Sequence, residues 1–272
     1  MNKENLLELS EIISQIALKA SEGIMDIYQG KEITQKKKKD GSPLTEADLT
    51  SHKIIIEGLS NLNLNFPVLS EEGEVRHKMN SDTFWLIDPL DGTKEFLERN
   101  GEFTVNIALI KNGKPKLGVV SVPAKDELFR GIPGVGAYRE MSGNLEKIKT
   151  RKLKLEKITV TVSRSHQTEK DHQFLEEVKK TFKEIEIMQT GSSLKLCRVA
   201  EGKADVYCRM GPTFQWDIAS GQAILEAAGG SLKGLDGESL RYILDSEKKN
   251  PKFYCVGDLN FPWKNLFLNS LT

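Results

Sequence analysis

Phe84-Trp85-Leu86-Ile87-Asp88-Pro89-Leu90-Asp91-Gly92-Thr93-Lys94-Glu95-Phe96 decides how the rest of the chain is read. Four consecutive apolar residues open it, the short run of a strand buried on both faces. Two carboxylates follow three positions apart, with Pro89 stiffening the turn and Gly92 permitting a tight backbone. Asp88 and Asp91, with the carbonyl of an intervening residue such as Leu90, would gather hard oxygens at one point. Mg²⁺ takes such donors, in an octahedron at about 2.0–2.1 Å that keeps room for water and a substrate phosphate. Gly92 and Thr93 are placed to begin a helix, whose free N–H groups and positive dipole end suit a phosphate. Taken alone, the stretch reads equally well as an ordinary Asp-Pro…Asp-Gly turn between a strand and a helix.

The totals narrow the function classes. At 272 residues the chain is near the size at which one core stops growing and chains divide into lobes. Lys+Arg and Asp+Glu both number 39, so no global field recruits a nucleic-acid polymer or an anionic membrane. An anionic ligand must be held by local cations or metals. Cys197, Cys208 and Cys255 form neither a CxxC nor a disulfide framework, which fits a reducing compartment and small buried apolar residues. The charged start Met1-Asn2-Lys3-Glu4 lacks a signal-peptide pattern, and no apolar run approaches a membrane span. A cytoplasmic protein is expected, with peripheral membrane association left open.

Leu6, Leu9, Ile13, Ile16, Ala17, Ala20, Ile24 and Ile27 recur at three- and four-residue steps and predict one long amphipathic helix. The run Lys36 to Lys39 reads as a solvated loop or as a mobile basic flap over a phosphate. Thr45-Glu46-Ala47-Asp48 is a capping box opening a second helix; Asp48 either satisfies that helix end or faces a metal centre. Phe66 to Ser70 is strand-like and stops at Glu71-Glu72-Gly73, an edge at which open sheets place ligands. Phe103 to Ile110 and Leu117 to Val122 read as a hairpin. The cluster Gly131 to Gly136 reads as a turn, lacking the Lys-Ser/Thr ending of a phosphate loop.

Gly143 to Lys157 is polar without an apolar face, so the lobe boundary is placed there, dividing residues 1–150 from 151–272. Beyond it, strands at Ile158–Val162, Ile185–Met188, Ala204–Cys208 and Phe253–Val256 alternate with helices around Phe174–Phe182, Ser192–Glu201 and Asp217–Ala228. That alternation points to an α/β layer. Asp217 begins an Ala-rich helix, as an N-cap or as a further metal ligand brought from the second lobe. Ser163-Arg164-Ser165-His166 and Gly191-Ser192-Ser193-Leu194-Lys195 each join hydroxyls to a cation, suiting phosphate or ribose. Arg209 directly follows a strand and is placed to point into a crevice at the sheet edge.

Together, Asp88-Pro89-Leu90-Asp91-Gly92-Thr93 and Trp216-Asp217-Ile218-Ala219-Ser220-Gly221 resemble the magnesium-dependent, lithium-sensitive phosphatases of the inositol monophosphatase superfamily. The resemblance runs from about Asp40 to Gly230. Within it, Gly92-Thr93-Lys94-Glu95-Phe96, the 163–166 and 191–195 stretches and Ala204-Asp205-Val206-Tyr207-Cys208-Arg209 resemble the 3′(2′),5′-bisphosphate nucleotidases of the CysQ type. Inositol monophosphatases usually carry Gly-Thr-x-Asn-Phe at the first of these. Ser220, where alanine is more usual, and Gln215, at a variable position often Glu, depart from the pattern without touching the metal site.

The resemblance implies a layered α-β-α-β-α fold, α+β in the first lobe and α/β in the second, and a Mg²⁺-dependent phosphatase acting on a small nucleotide. It implies Glu71, Asp88 and the Leu90 carbonyl on one Mg²⁺, and Asp88, Asp91 and Asp217 on a second, with two or three ions in all. Asp48 and Thr93 would orient and deprotonate the attacking water. Gly92 and Thr93 would seat the phosphate removed, beside Glu71, Leu90, Asp91 and Asp217. His166, Ser192, Lys195 and Arg209 would grip the ribose, base or second phosphate. The implied reaction converts 3′-phosphoadenosine 5′-phosphate to AMP and phosphate, with the sulfated nucleotide as a second substrate. The competing readings are an inositol or sugar phosphatase on the same scaffold and a non-catalytic nucleotide- or phosphate-binding protein; a monomer or a homodimer is expected.

Overall fold

Side chains alternate across a strand, and Phe84, Trp85, Leu86 and Ile87 divide accordingly between two cores. The computed structural model describes residues 2–30, 33, 35–37, 41, 43–76, 81–165, 168–245 and 247–269. The first half runs α1 (Lys3–Tyr28), β1 (Gln35–Lys37), β2 (Pro43–Thr45), α2 (Glu46–Ser60), β3 (Val68–Ser70), β4 (Gly73–Arg76), β5 (Thr83–Asp91), α3 (Thr93–Leu97), β6 (Thr104–Lys111), β7 (Lys114–Val122), β8 (Glu127–Ile132), β9 (Gly136–Met141) and β10 (Asn144–Ile148). The second half runs β11 (Lys157–Ser163), α4 (Glu169–Thr181), β12 (Glu184–Thr190), α5 (Leu194–Ala200), β13 (Val206–Arg209), α6 (Gln215–Ala227), β14 (Ser231–Gly234), β15 (Phe253–Val256) and α7 (Trp263–Asn269).

Eight strands form one sheet in the order β10-β9-β8-β7-β6-β5-β3-β4, and five form another in the order β12-β11-β13-β15-β14. Trp85 and Ile87 pack with Ile13, Ala17 and Ile24 of α1 and Ile55 of α2 on the outer face of the first sheet. Phe84 and Leu86 face inward onto Leu196 and Val199 of α5 and Ile218 and Ile224 of α6, which also cover Tyr207 and Phe253 of the second sheet. The outer face of that sheet carries Phe174 and Val178 of α4 and Leu266 and Phe267 of α7. The layers are therefore helix, sheet, helix, sheet, helix, as the resemblance implied. α6 lies hard against the first sheet: a Cβ on Gly118 would fall 2.2 Å from the Ser220 carbonyl oxygen. Only glycine admits that approach.

The long first helix, the capping box at Thr45 and the paired strands β6 and β7 form as their patterns predict. Cys197, Cys208 and Cys255 are free and buried. Some local expectations need correction. The polar stretch placed at the lobe boundary contains β10, the edge strand of the first sheet. An edge strand carries few buried side chains, and of its five residues only Ile148 is buried, so no apolar alternation marks it. β14 and α7 add to the second half. Asp217 is not an N-cap: Phe214 holds that place, and Asp217, three residues in, accepts the Phe214 N–H at 2.9 Å. The Asp88-Pro89-Leu90-Asp91 stretch is not a turn after the strand either. β5 continues through it, and its register against β6 slips between Asp88 and Asp91. Proline tolerates such a bulge, where no ladder hydrogen bond is asked of it. No helix among the described residues is long and apolar enough to cross a membrane.

Candidate active site

Two sets of parallel strands end at one place. β3 runs parallel to β5, and β12, β11 and β13 run parallel to one another. Their carboxyl ends deliver Glu71, Asp91, Ser163, Ser192 and Arg209 to the wall of a single cavity of about 950 Å³. Open sheets place ligands at that end because strand polarity and connecting loops leave a crevice there. Gly92, Thr93, Lys195 and Asp217 line the same cavity. Asp48, Asp88 and Leu90 are buried and do not line it. Gln35 and Pro43, from the β1–β2 hairpin that bears Lys36, also reach its wall. His166 lies outside the described residues, as do Lys38 and Lys39 of the lysine run.

The register builds the acidic cluster. Ser70 pairs with Ile87, which sets Glu71 level with Asp88, and the Glu71 N–H reaches the Ile87 carbonyl at 3.2 Å. The bulge then brings Asp91 to the rim, where Gly92 takes φ 89° and lets α3 start. Asp88 Oδ1 accepts the Leu90 N–H at 3.1 Å. Asp91 Oδ2 accepts the Ser193 N–H at 2.6 Å and Asn106 Nδ2 at 3.4 Å, tying the first half to the second.

These carboxylates repel one another in a site that water screens poorly. Burial, then the charges of Glu71, Asp91 and Asp217, with a hydrogen bond to Glu71, push the Asp88 carboxyl well above its usual range. Burial, then Asp91 and Glu71, does the same to Asp217. Asp91 is pushed up to about 6, chiefly by burial, with Lys195 and the Ser193 N–H opposing. Lys195 is lowered to about 8 by burial and by Arg209, against the pull of Asp91. Its Nζ sits 5.5 Å from the Tyr207 ring centroid.

Divalent Mg²⁺ suits this donor set: four carboxylates, all hard oxygen, whose own repulsion calls for positive charge. As they stand, no three acidic, histidine or cysteine side chains among the described residues are gathered closely enough to hold an ion. The fit therefore lies in the chemistry of the donors and their shared charge.

Beside the cluster, Thr93 Oγ1 donates to Asp48 Oδ1 at 3.2 Å or to the Leu90 carbonyl at 3.4 Å. Asp48 Oδ2 is taken by the Thr45 N–H at 2.7 Å and Thr45 Oγ1 at 2.6 Å. The capping box thus fixes Asp48 through Oδ2, while Oδ1 accepts from Thr93. Asp48 serves the helix end and also meets Thr93 of the cavity wall.

The sequence reading missed several contributors. Glu95 is buried, and its Oε1 accepts the Ser165 hydroxyl at 2.6 Å. It stood within the deciding stretch and in the family resemblance, but nothing in the sequence pairs it with Ser165, seventy positions away. Tyr207 lay in a quoted stretch and was passed over as strand. Ser193 acts on Asp91 through its backbone N–H, which any residue could supply, so no residue type betrays it.

The family model described as "Inositol monophosphatase family" matches residues 5–256. A 3′(2′),5′-bisphosphate nucleotidase CysQ of Salmonella typhimurium is 43% identical over 248 residues, covering 89% of this chain and 97% of that protein. The Haemophilus influenzae protein of the same name is 32% identical over 256 residues, covering 93% of this chain and 94% of its own. Among solved structures, CysQ from Bacteroides thetaiotaomicron superposes with a TM-score of 0.79 at 38% identity, over 92% of this chain and 97% of that one.

Proposed function

This chain belongs to the inositol monophosphatase family, and we propose that within it the chain is a 3′(2′),5′-bisphosphate nucleotidase, releasing the 3′-phosphate of 3′-phosphoadenosine 5′-phosphate to leave AMP. One observation carries the substrate choice. The cavity wall that carries Glu71, Asp91 and Asp217 also carries Lys195, Arg209 and Ser192. A substrate with a single phosphate needs only the acidic side and its cations. A second phosphate needs a second positive site, which Lys195 and Arg209 supply. The nucleotidase names of the relatives agree with that reading.

Glu71, Asp88 and the Leu90 carbonyl would hold one Mg²⁺, and Asp88, Asp91 and Asp217 a second. Such ions, when bound, neutralise phosphoryl and leaving oxygens and make water a better nucleophile. The remaining work belongs to the chain. Thr93 Oγ1, donating to Asp48 Oδ1, keeps its lone pairs for the attacking water and so sets the direction of attack. The water proton passes to Thr93 Oγ1 as the Thr93 proton passes to Asp48 Oδ1, one general-base step over two oxygens. Thr45 holds the other oxygen of Asp48 and so keeps the carboxylate in place to receive it. Lys195 and Arg209 hold the phosphate that is not cleaved, and Ser192 reaches the ribose. The buried free cysteines suit a reducing compartment, and we place the enzyme in the cytoplasm.

The test compares kcat/KM for 3′-phosphoadenosine 5′-phosphate, inositol 1-phosphate and fructose 1,6-bisphosphate with Mg²⁺ present. One additional charged contact gives a preference of roughly tenfold or more for the nucleotide over inositol 1-phosphate, which has no second phosphate. Equal or better turnover of inositol 1-phosphate would keep the acidic site and remove the nucleotide from it.

A further inference from the structure

The second half of the chain meets Asp91 through one short turn, Gly191-Ser192-Ser193, between β12 and α5. Ser193 donates its N–H to Asp91 Oδ2 at 2.6 Å. Ser192 stands at φ 44°, in the left-handed region that a side chain disfavours. Its hydroxyl is buried with no hydrogen-bond partner among the described residues, and the residue lines the cavity. Such a backbone persists where its surroundings fix it, and it recurs at functional sites.

Glu102, in the loop between α3 and β6, supplies the fixing contact. Its Oε2 accepts the Gly191 N–H at 2.8 Å and Arg164 Nε at 3.0 Å, and its Oε1 accepts Lys125 Nζ at 3.1 Å. Burial pushes this carboxyl upward, yet Arg164, the Gly191 N–H and Lys125 outweigh it and hold the group below its usual range. On the far side of Ser192, Ser193 Oγ meets Thr104 Oγ1 at 2.9 Å and Asn106 Oδ1 at 2.7 Å. The turn is thus gripped on both flanks of Ser192 by the first half of the chain. Glu102 is the charged grip, and it reaches the backbone directly.

We propose that Glu102 is a positioning residue, holding the Gly191–Ser193 turn so that the Ser192 hydroxyl faces the substrate and the Ser193 N–H orients Asp91. Only the choice of assay substrate rests on the nucleotidase reading. Glu102→Ala removes the acceptor. Glu102→Gln keeps an oxygen for the Gly191 N–H while giving up the charge. Glu102→Asp keeps the charge but withdraws it from the backbone.

Two readouts on the full-length protein decide. In Glu102→Ala, amide exchange across residues 190–193 should quicken about tenfold, and KM for 3′-phosphoadenosine 5′-phosphate should rise about tenfold with kcat within about threefold, the scale of a buried N–H left without its acceptor. Glu102→Gln should restore both to near wild type, and Glu102→Asp should fall between. If Glu102→Ala does not fold, the Gln and Asp variants decide alone by the same comparison. A lowered unfolding midpoint with unmoved KM, or unchanged exchange at 190–193, would overturn the assignment. A wild-type protein inactive on the nucleotide would refute the nucleotidase reading, while the exchange measurement would still decide the role of Glu102.

Discussion

Asp91→Asn should lose hydrolysis and, without metal, melt higher than the wild type. Loss of a mere supporting partner at a metal site costs about 10–100-fold, so removing this carboxylate should cost more than ~100-fold in kcat. The stability change has the opposite sign. Asp91 is pushed up to about 6 by burial and by neighbouring carboxylates, so near neutral pH its charge strains the folded state. The asparagine oxygen can still accept the Ser193 N–H, and the strain goes. Each kcal/mol relieved should raise the midpoint by about 2–4 °C. Phosphate release and calorimetric melting in a chelator check both halves. An active Asp91→Asn enzyme would remove the carboxylate from the proposed centre, and a lowered metal-free midpoint would mean that Asp91 is structural.

Thr93→Val should reduce kcat by about 10²–10⁴, the usual worth of a positioned general base, while leaving Mg²⁺ affinity unchanged. Valine keeps the shape of threonine and deletes the hydroxyl that donates to Asp48 and that we propose holds the attacking water. Thr93→Ser keeps that hydroxyl and should stay within about tenfold of wild type. Steady-state rates at saturating Mg²⁺ separate the cases. A Thr93→Val enzyme with near-normal kcat would place the proton route elsewhere.

Much of this site was legible because carboxylates and glycine carry their chemistry in their identity. Asp88, Asp91, Gly92 and Thr93 stand within six residues, and Asp217 follows a tryptophan at the start of an Ala-rich helix. Four apolar residues in a row announced a strand buried on both faces, which Phe84–Ile87 is. What stayed hidden depends on partners distant in sequence. Glu102 has the look of a loop glutamate until Gly191, eighty-nine positions away, is brought to it at 2.8 Å. The bulge at Pro89 needs the register of β6 to exist. β10 went unread because an edge strand with one buried residue has almost no hydrophobic pattern to show.

One cation centre built from both halves of the chain is the core of this account, and calorimetric titration of metal-free protein with Mg²⁺ tests it most directly. Asp91 comes from the end of β5 and Asp217 from the first turn of α6. Mg²⁺ should bind the wild type and should bind folded Asp91→Asn and Asp217→Asn each at least about tenfold more weakly. Undiminished binding in Asp217→Asn would confine the ions to the first half and contradict the shared centre.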